Sequence, residues 1–310
     1  MVSLGLGSSL SKASVVPAPS LFIEKFSATA PIVAFSLRKL GTYSDNKACR
    51  VRRSSDNVEA EVLFDSNNAV SDSSGLAQVS ASFSETNLGD FVGSGDAFIS
   101  TFYDQAGGSS EDAAQTNQNY QPKLYSSGSL ITSEGKAAIE FDGTDDYLPI
   151  ASSFNDSLIL NSLSSSVVYQ AANTTQQGIL LFLGGSSGSN KRWYQPFINT
   201  TTTWYSYNGH HPASSETSNT DQNLLTYIAG SEDPHDGFRA YRNGVAKGTE
   251  LTTASDNSNA TDTAGIGSYS QGSLKYAGKF QEAIVFDTDR SSNRTEIEED
   301  IATYYNITLP

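Results

Sequence analysis

Residues 91–108 read FVGSGDAFISTFYDQAGG. From Ala97 to Tyr103 the run is apolar and aromatic enough for a strand, and Asp104-Gln105 then leads into the turn residues Gly107-Gly108. A carboxylate where a strand enters a Gly-rich turn commonly accepts backbone N–H groups, so Asp104 reads as a residue that holds the corner rather than as a catalytic acid. Working outward, short runs of the same kind recur: VAFSL (33–37), CRVRR (49–53), AAIEF (137–141), SSVVYQA (165–171), ILLFLG (179–184), LLTYIAG (224–230), FRAYRNG (238–244) and QEAIVFD (281–287). Clusters of Ser, Gly, Asn and Asp separate them, and Asn243-Gly244 is a hairpin signal. This pattern argues for an antiparallel β-sandwich.

Helical signals are sparse. The last one is clear: Ser291-Ser292-Asn293 precedes RTEIEEDIATYYN, in which Ile297, Ile301, Tyr304 and Tyr305 share one face and acids fill the first turns. One helix is expected there, closing the domain, and Leu37 to Leu40 reads as a second, short one. Residues 1–31 are rich in Gly, Ser and Ala and hold Pro17, Pro19 and Pro31 without a sustained period. They read as an extended N-terminal arm, apolar enough through Leu4, Leu6, Leu10, Val15 and Phe22 to dock on a partner, with residues 32–310 forming the domain.

Charge and composition exclude some partners. Lys plus Arg number 19 against 34 Asp plus Glu, a formal charge of −15, so most faces repel nucleic acid and anionic lipid. The start of the chain lacks the pattern of a secretory signal, and no run of about 18 apolar residues is present, so no membrane span is expected. Cys49, the one cysteine, can form no internal disulfide and reads as core packing.

Several motifs carry candidate chemistry. Glu140 and Asp142 are two apart on a strand and therefore share a face, as a hydrolase pair must, while Asp145-Asp146 follow in what reads as an acidic turn. Asp142, Asp145 and Asp146 offer the hard oxygen donors that calcium takes, but their spacing is not that of an EF-hand loop, and no cofactor is expected. Gly184-Gly185-Ser186-Ser187-Gly188 spells the serine-hydrolase elbow without the helix that should follow it. His210, His211 and His235 lack the spacing of a zinc set. More informative is the group Trp193, Tyr194, Trp204, Tyr205, Tyr207 and His210, which holds both tryptophans of the chain. Sugars pack C–H faces on aromatic rings, so these six are the candidate carbohydrate-binding residues, with core packing as the competing role.

Taken together, VAFSLRKLGTYSDNKACRVRRSSDN (33–57), the opening stretch, QPKLYSSGSL (121–130) and GKAAIEFDGTDDYL (135–148) resemble a pattern found in phage structural proteins and bacterial surface proteins. These are similar to the catalytic domain of fungal-type α-L-arabinofuranosidase B, and the C-terminal run also resembles the ending of laminin-G and lectin domains. The resemblance implies a concanavalin A-like jelly roll whose concave face holds carbohydrate. It also implies a glutamate at the strand resembling GILLFLG (178–184) and an aspartate in the turn resembling GIGSY (265–269), and neither segment contains a carboxylate. Retaining glycoside hydrolysis needs two.

The expected function is therefore a non-enzymatic virion protein, a capsid-decoration, tail or fibre component. Its arm would bind other virion proteins and its lectin-like domain host-surface glycans, in a homo-oligomer, by class analogy a trimer. The alternatives are a glycoside hydrolase of the arabinofuranosidase type acting on surface polysaccharide, and an adhesin module on a bacterial cell surface.

Overall fold

The computed structural model describes residues 20–42, 46–79, 81–107, 111–151, 163–184, 192–198, 204–205, 217–228, 239–248, 263–269 and 272–310. In chain order the main strands are β1 (Val33–Ser36), β2 (Lys47–Arg53), β3 (Glu59–Leu63), β4 (Ala97–Phe102), β5 (Lys123–Ser126), β6 (Ile139–Asp142) and β7 (Leu148–Ile150). They continue with β8 (Ser164–Ala171), β9 (Gly178–Gly184), β10 (Arg192–Ile198), β11 (Gln222–Ile228), β12 (Arg239–Arg242), β13 (Thr263–Ile266) and β14 (Ala277–Phe286). The helices are α1 (Phe22–Lys25), α2 (Leu88–Val92) and α3 (Arg294–Tyr305).

All strand pairs named here are antiparallel. One layer runs β1–β14–β8–β11–β12. The other runs β10–β9–β13–β7, then through Ala113–Ala114 to β4–β2–β3. β5 and β6 join the layers, because β6 pairs with both β5 and the N-terminal half of β14. The chain is thus an antiparallel β-sandwich with one C-terminal helix, as the recurring short runs predict.

Period-2 alternation decides what each face of the first layer meets. Val33, Phe35, Val167, Tyr169, Leu225, Tyr227, Ala283 and Val285 point into the core between the layers. Their neighbours Ala34, Val168, Leu224, Ile284 and Phe286 point the other way, on to Ile297, Ile301 and Tyr305 of α3. These strands are buried on both faces, which is why the sequence there is apolar without alternation. α3 starts with Glu296 in its first turn, where the helix dipole favours an acid, and stops at Asn306, whose φ of 58° breaks the helix. Among the described residues no helix is long and apolar enough to cross a membrane.

The Tyr103-Asp104-Gln105 corner is built from buried polar groups. The Asp104 carboxylate accepts the N–H of Ala34 at 2.7 Å and of Ala106 at 3.0 Å, tying the end of β4 to β1. Gln105 donates to the carbonyls of Ser36 and Arg38 and accepts the N–H of Leu40 at 2.8 Å. That corner keeps Leu37 to Leu40 out of a helical turn, and Arg38 makes a bridge to Ala69. The helix expected at 37–40 is therefore absent, because local propensity yields to these side-chain bonds.

The reading of residues 1–31 as an arm also needs correction over its described part. Phe22 and Phe26 are buried, their rings 4.8 Å apart, and both join the α3 cluster. Ile23 N–H donates to Leu40 O at 2.7 Å, and Lys25 is ion-paired to Asp300. Residues 20–31 belong to the domain's own packing; 1–19 lie outside the described residues.

Candidate functional site

β6 supplies the first elements of the site. Ile139 and Phe141 are buried in the core, which turns Glu140 and Asp142 to the opposite face, as their spacing predicts. The strand ends in a tight turn. Asp142 Oδ1 accepts the N–H of Thr144 at 2.7 Å and of Asp145 at 3.3 Å, and Asp146 Oδ2 accepts the N–H of Asp142 at 2.9 Å. Gly143 sits at φ +77°, and its carbonyl accepts from the Gln176 amide at 2.6 Å. The result gathers Asp142, Asp145 and Asp146 so that one carboxylate oxygen of each lies within 4.8 Å of the others.

These residues border a cleft of about 570 Å³. Its floor is Arg52 on β2, Phe98 on β4, Lys123 on β5 and Glu140 on β6; the amide side chains of Gln118, Asn119 and Gln121 form one wall. Tyr120 and Tyr147 lie beside it with ring centroids 5.6 Å apart. Lys275 donates to the Asp145 carbonyl at 3.1 Å, and its ammonium lies 3.9 Å from the Tyr147 ring centroid.

Asp146 is 7% exposed, and burial together with the charges of Asp142 and Asp145 pushes its carboxyl up to about 7, against the Asp142 N–H and Lys275, which favour the anion. Burial also lowers the affinity of Lys275 for its proton, although the three aspartates oppose that. Calcium takes six to eight oxygens, and here an ammonium shares the cluster with the three carboxylates.

Asp104 and Glu282 lie elsewhere. Asp104 is fully buried in the corner described above, and Glu282, also fully buried, is held by Arg38 under α3. Trp193 and Tyr194 fall on β10, and Trp204–Tyr205 is a short strand paired to it in register Ile198 with Trp204 and Phe197 with Tyr205. In the same layer β10 lies two strands beyond β13. Tyr207 and His210 are outside the described residues, as are His211, His235 and 185–188. Sequence reasoning missed Arg52, Lys123 and Lys275. A charge inside an apolar run, as in CRVRR, was the available sign for Arg52.

The turn Gly265–Tyr269, expected to carry an acid, adjoins the carboxylate cluster. β13 pairs with β7, placing Ile266 opposite Leu148, and a Cβ on Gly267 would come within 2.3 Å of the Phe141 ring and 3.3 Å of the Asp146 carbonyl. Gly267, at φ +93°, thus lets the turn close on β6. β9, the GILLFLG strand, is the next strand over. The two segments lack acids of their own, but the β6–β7 turn brings three aspartates to the side of one of them.

No protein-family model and no curated protein matches the chain. Solved structures do match in fold. A mutant GH54 α-L-arabinofuranosidase soaked with 4-nitrophenyl α-L-arabinofuranoside superposes with a TM-score of 0.64 at 14% identity, over 90% of this chain and 64% of that one. The same type of enzyme soaked with a cyclic sulfate inhibitor gives 0.59 at 13% identity, over 90% and 64%. An arabinofuranosidase complexed with arabinofuranosyl-α-1,2-xylobiose gives 0.59 at 12%, over 93% and 65%. The chain spans less than two thirds of the length of these proteins. They lend no support to the phage, capsid or tail part of the resemblance. They also overturn the expectation of a non-enzyme: the structures that share the fold across nine-tenths of the chain are glycoside hydrolases. Over nearly its whole length, the chain has the β-sandwich fold seen in these arabinofuranosidases.

Proposed function

We propose that the chain is a glycoside hydrolase of the arabinofuranosidase type, acting on a saccharide seated in the cleft, with Asp146 as proton donor and Asp142 as the opposing carboxylate. One observation carries the reading: carboxylate oxygens within 4.8 Å of one another border an open cleft, and one of the acids holds its proton to about pH 7. A retaining pair stands about 5 Å apart. Shared fold with the arabinofuranosidases supports the reaction class.

The chemistry follows from the two environments. Asp146 gives its proton to the glycosidic oxygen as the bond to the anomeric carbon breaks, and Asp142 forms an ester to that carbon. Water then attacks the same carbon, returning its proton to Asp146 and releasing Asp142 as carboxylate. The Asx turn fixes the direction of Asp142, and Lys275 holds the Asp145 backbone beside it. The aromatic residues Trp193, Tyr194, Trp204 and Tyr205 are proposed to widen sugar contact along the sheet.

Assay of 4-nitrophenyl α-L-arabinofuranoside and a panel of arabinose-bearing oligosaccharides tests this. Turnover is expected in the unmodified chain, lost in Asp146→Asn and Asp142→Asn, and declining above neutral pH as Asp146 ionises. An inactive unmodified chain across the panel, or activity indifferent to both substitutions, overturns it.

A further inference from the structure

The cleft floor continues a row of cross-strand partners. Glu59, Arg52, Phe98, Lys123, Glu140 and Lys279 stand opposite one another in turn on β3, β2, β4, β5, β6 and β14. Within that row Arg52 is unusual. It is only 6% exposed, and among the described residues no carboxylate lies within ion-pair distance of it. Its Nε–H donates to Gln121 Oε1 at 2.8 Å, Nη1 to Asn57 Oδ1 at 2.7 Å and Nη2 to the Gln118 carbonyl at 3.3 Å. All three acceptors are neutral.

Other arginines in the same layers are treated differently. Arg38, as buried as Arg52, meets both Glu282 and Asp300; Arg50 meets Glu61; Arg53 meets Asp56 and Glu85. Lys123, near Arg52 over the Phe98 ring, is committed to Asp96 at 2.8 Å. A guanidinium taken out of water without a counter-charge is costly, and Arg52 feels that cost as a lowered proton affinity from burial, relieved in part by Glu59. Three of its five N–H donors are used, and its Cζ lies over the Phe98 ring, 4.6 Å from the centroid, at the cleft floor.

We propose that Arg52 is an anion subsite of the cleft, taking the carboxylate of a uronic acid residue in the bound saccharide. The inference rests on the reading of the cleft as a saccharide site. The aspartate cluster sits at the end of β6, whereas Arg52 stands on β2, with Phe98 and Lys123 between it and Glu140 of β6 in the row. A formal chain charge of −15 disfavours a polyanionic track, so the ligand carries an isolated acidic sugar among neutral ones.

Calorimetric titration of the full chain decides it, with glucuronic-acid-substituted xylo-oligosaccharide compared against the same oligosaccharide after reduction of its carboxyl group. The acidic form should bind at least about tenfold tighter, the scale of a charge-assisted fork. Arg52→Gln should erase that preference and Arg52→Lys should keep part of it. Near-UV circular dichroism checks that Arg52→Gln is folded; if it is not, the unmodified chain and Arg52→Lys carry the test. Equal affinity for the two forms, a preference that survives Arg52→Gln, or displacement of the sugar by inorganic phosphate at equal concentration overturns the proposal. Hydrolysis products followed in parallel keep the two readings apart, because absent turnover sinks the hydrolase reading and leaves the affinity comparison standing.

Discussion

Replacing Glu282 by Gln should destabilise the protein strongly without touching the cleft. Glu282 is held by Arg38 through two bonds, Nε to Oε2 at 2.7 Å and Nη2 to Oε1 at 2.9 Å, and also accepts from Ser36 Oγ at 2.8 Å. Its side chain is 1% exposed and that of Arg38 9%, so neither charge has water to fall back on. Breaking one partner out of a buried pair costs about 3–5 kcal/mol, because the survivor is left uncompensated. Here Asp300 still reaches Arg38 Nη1 at 2.9 Å, which places the loss near the lower end, about 3 kcal/mol. For a domain of this size, with an unfolding entropy of about 2.1 cal/mol/K per residue, that lowers the melting midpoint by roughly 5 °C. Urea unfolding followed by circular dichroism measures it. The double replacement Glu282→Leu with Arg38→Met removes both charges and should recover most of the loss. A Glu282→Gln unfolding free energy within about 1 kcal/mol of the parent, or a double variant as unstable as the single, would refute the reasoning.

Asp146 and the pH dependence of stability come next. Its folded-state affinity is raised above that of an ordinary aspartate, so the native state holds a proton that the unfolded chain has released, and stability should fall as pH rises from about 4 to about 7; Asp146→Asn should flatten that slope in urea titrations, and an unchanged slope counts against the assignment. Asp300 runs the other way: burial alone would raise it, but Arg38 and Lys25 hold it low, so its contribution is present above the ordinary aspartate range and lost on acidification, a loss that Asp300→Asn should remove. Asp104→Ala leaves the buried N–H of Ala34 and the half-buried N–H of Ala106 without their acceptor and should cost about 3 kcal/mol in the same assay, with Asp104→Asn milder. Trp204→Ala should weaken oligosaccharide affinity on the order of tenfold by titration calorimetry; undiminished affinity would remove the aromatic strand pair from the binding face.

What could be read from the sequence was whatever depends on local period. The face of α3 follows from Ile297, Ile301 and Tyr305, and the shared face of Glu140 and Asp142 from their two-residue spacing. Register is a different kind of information. That Arg52, Phe98, Lys123 and Glu140 stand in one row depends on which strands become neighbours, and that Lys275 reaches Asp145 depends on a turn folding back across 130 positions. The segment at Leu37 to Leu40 has helix-compatible residues, yet Gln105 binds the Arg38 carbonyl and the Leu40 N–H and keeps it from closing a helical turn. Phe22 looked like part of an arm because its partners, on α3, come from the far end of the chain.

The position of β14 has a consequence for how the molecule is made. Val33 finds its partner in Val285, and β8 and β6 pair with the same late strand. Synthesis proceeds from the other end, so β6 and β8 leave the ribosome with one edge open and β1 without a strand partner, and they must wait for β14 before the layers join. Pairings so distant in sequence make folding slow and leave sticky edges exposed meanwhile. Chains that stop short of residue 277 should accumulate as aggregates rather than as a smaller version of the fold, and cells producing this protein should show chaperone engagement that ends when β14 emerges.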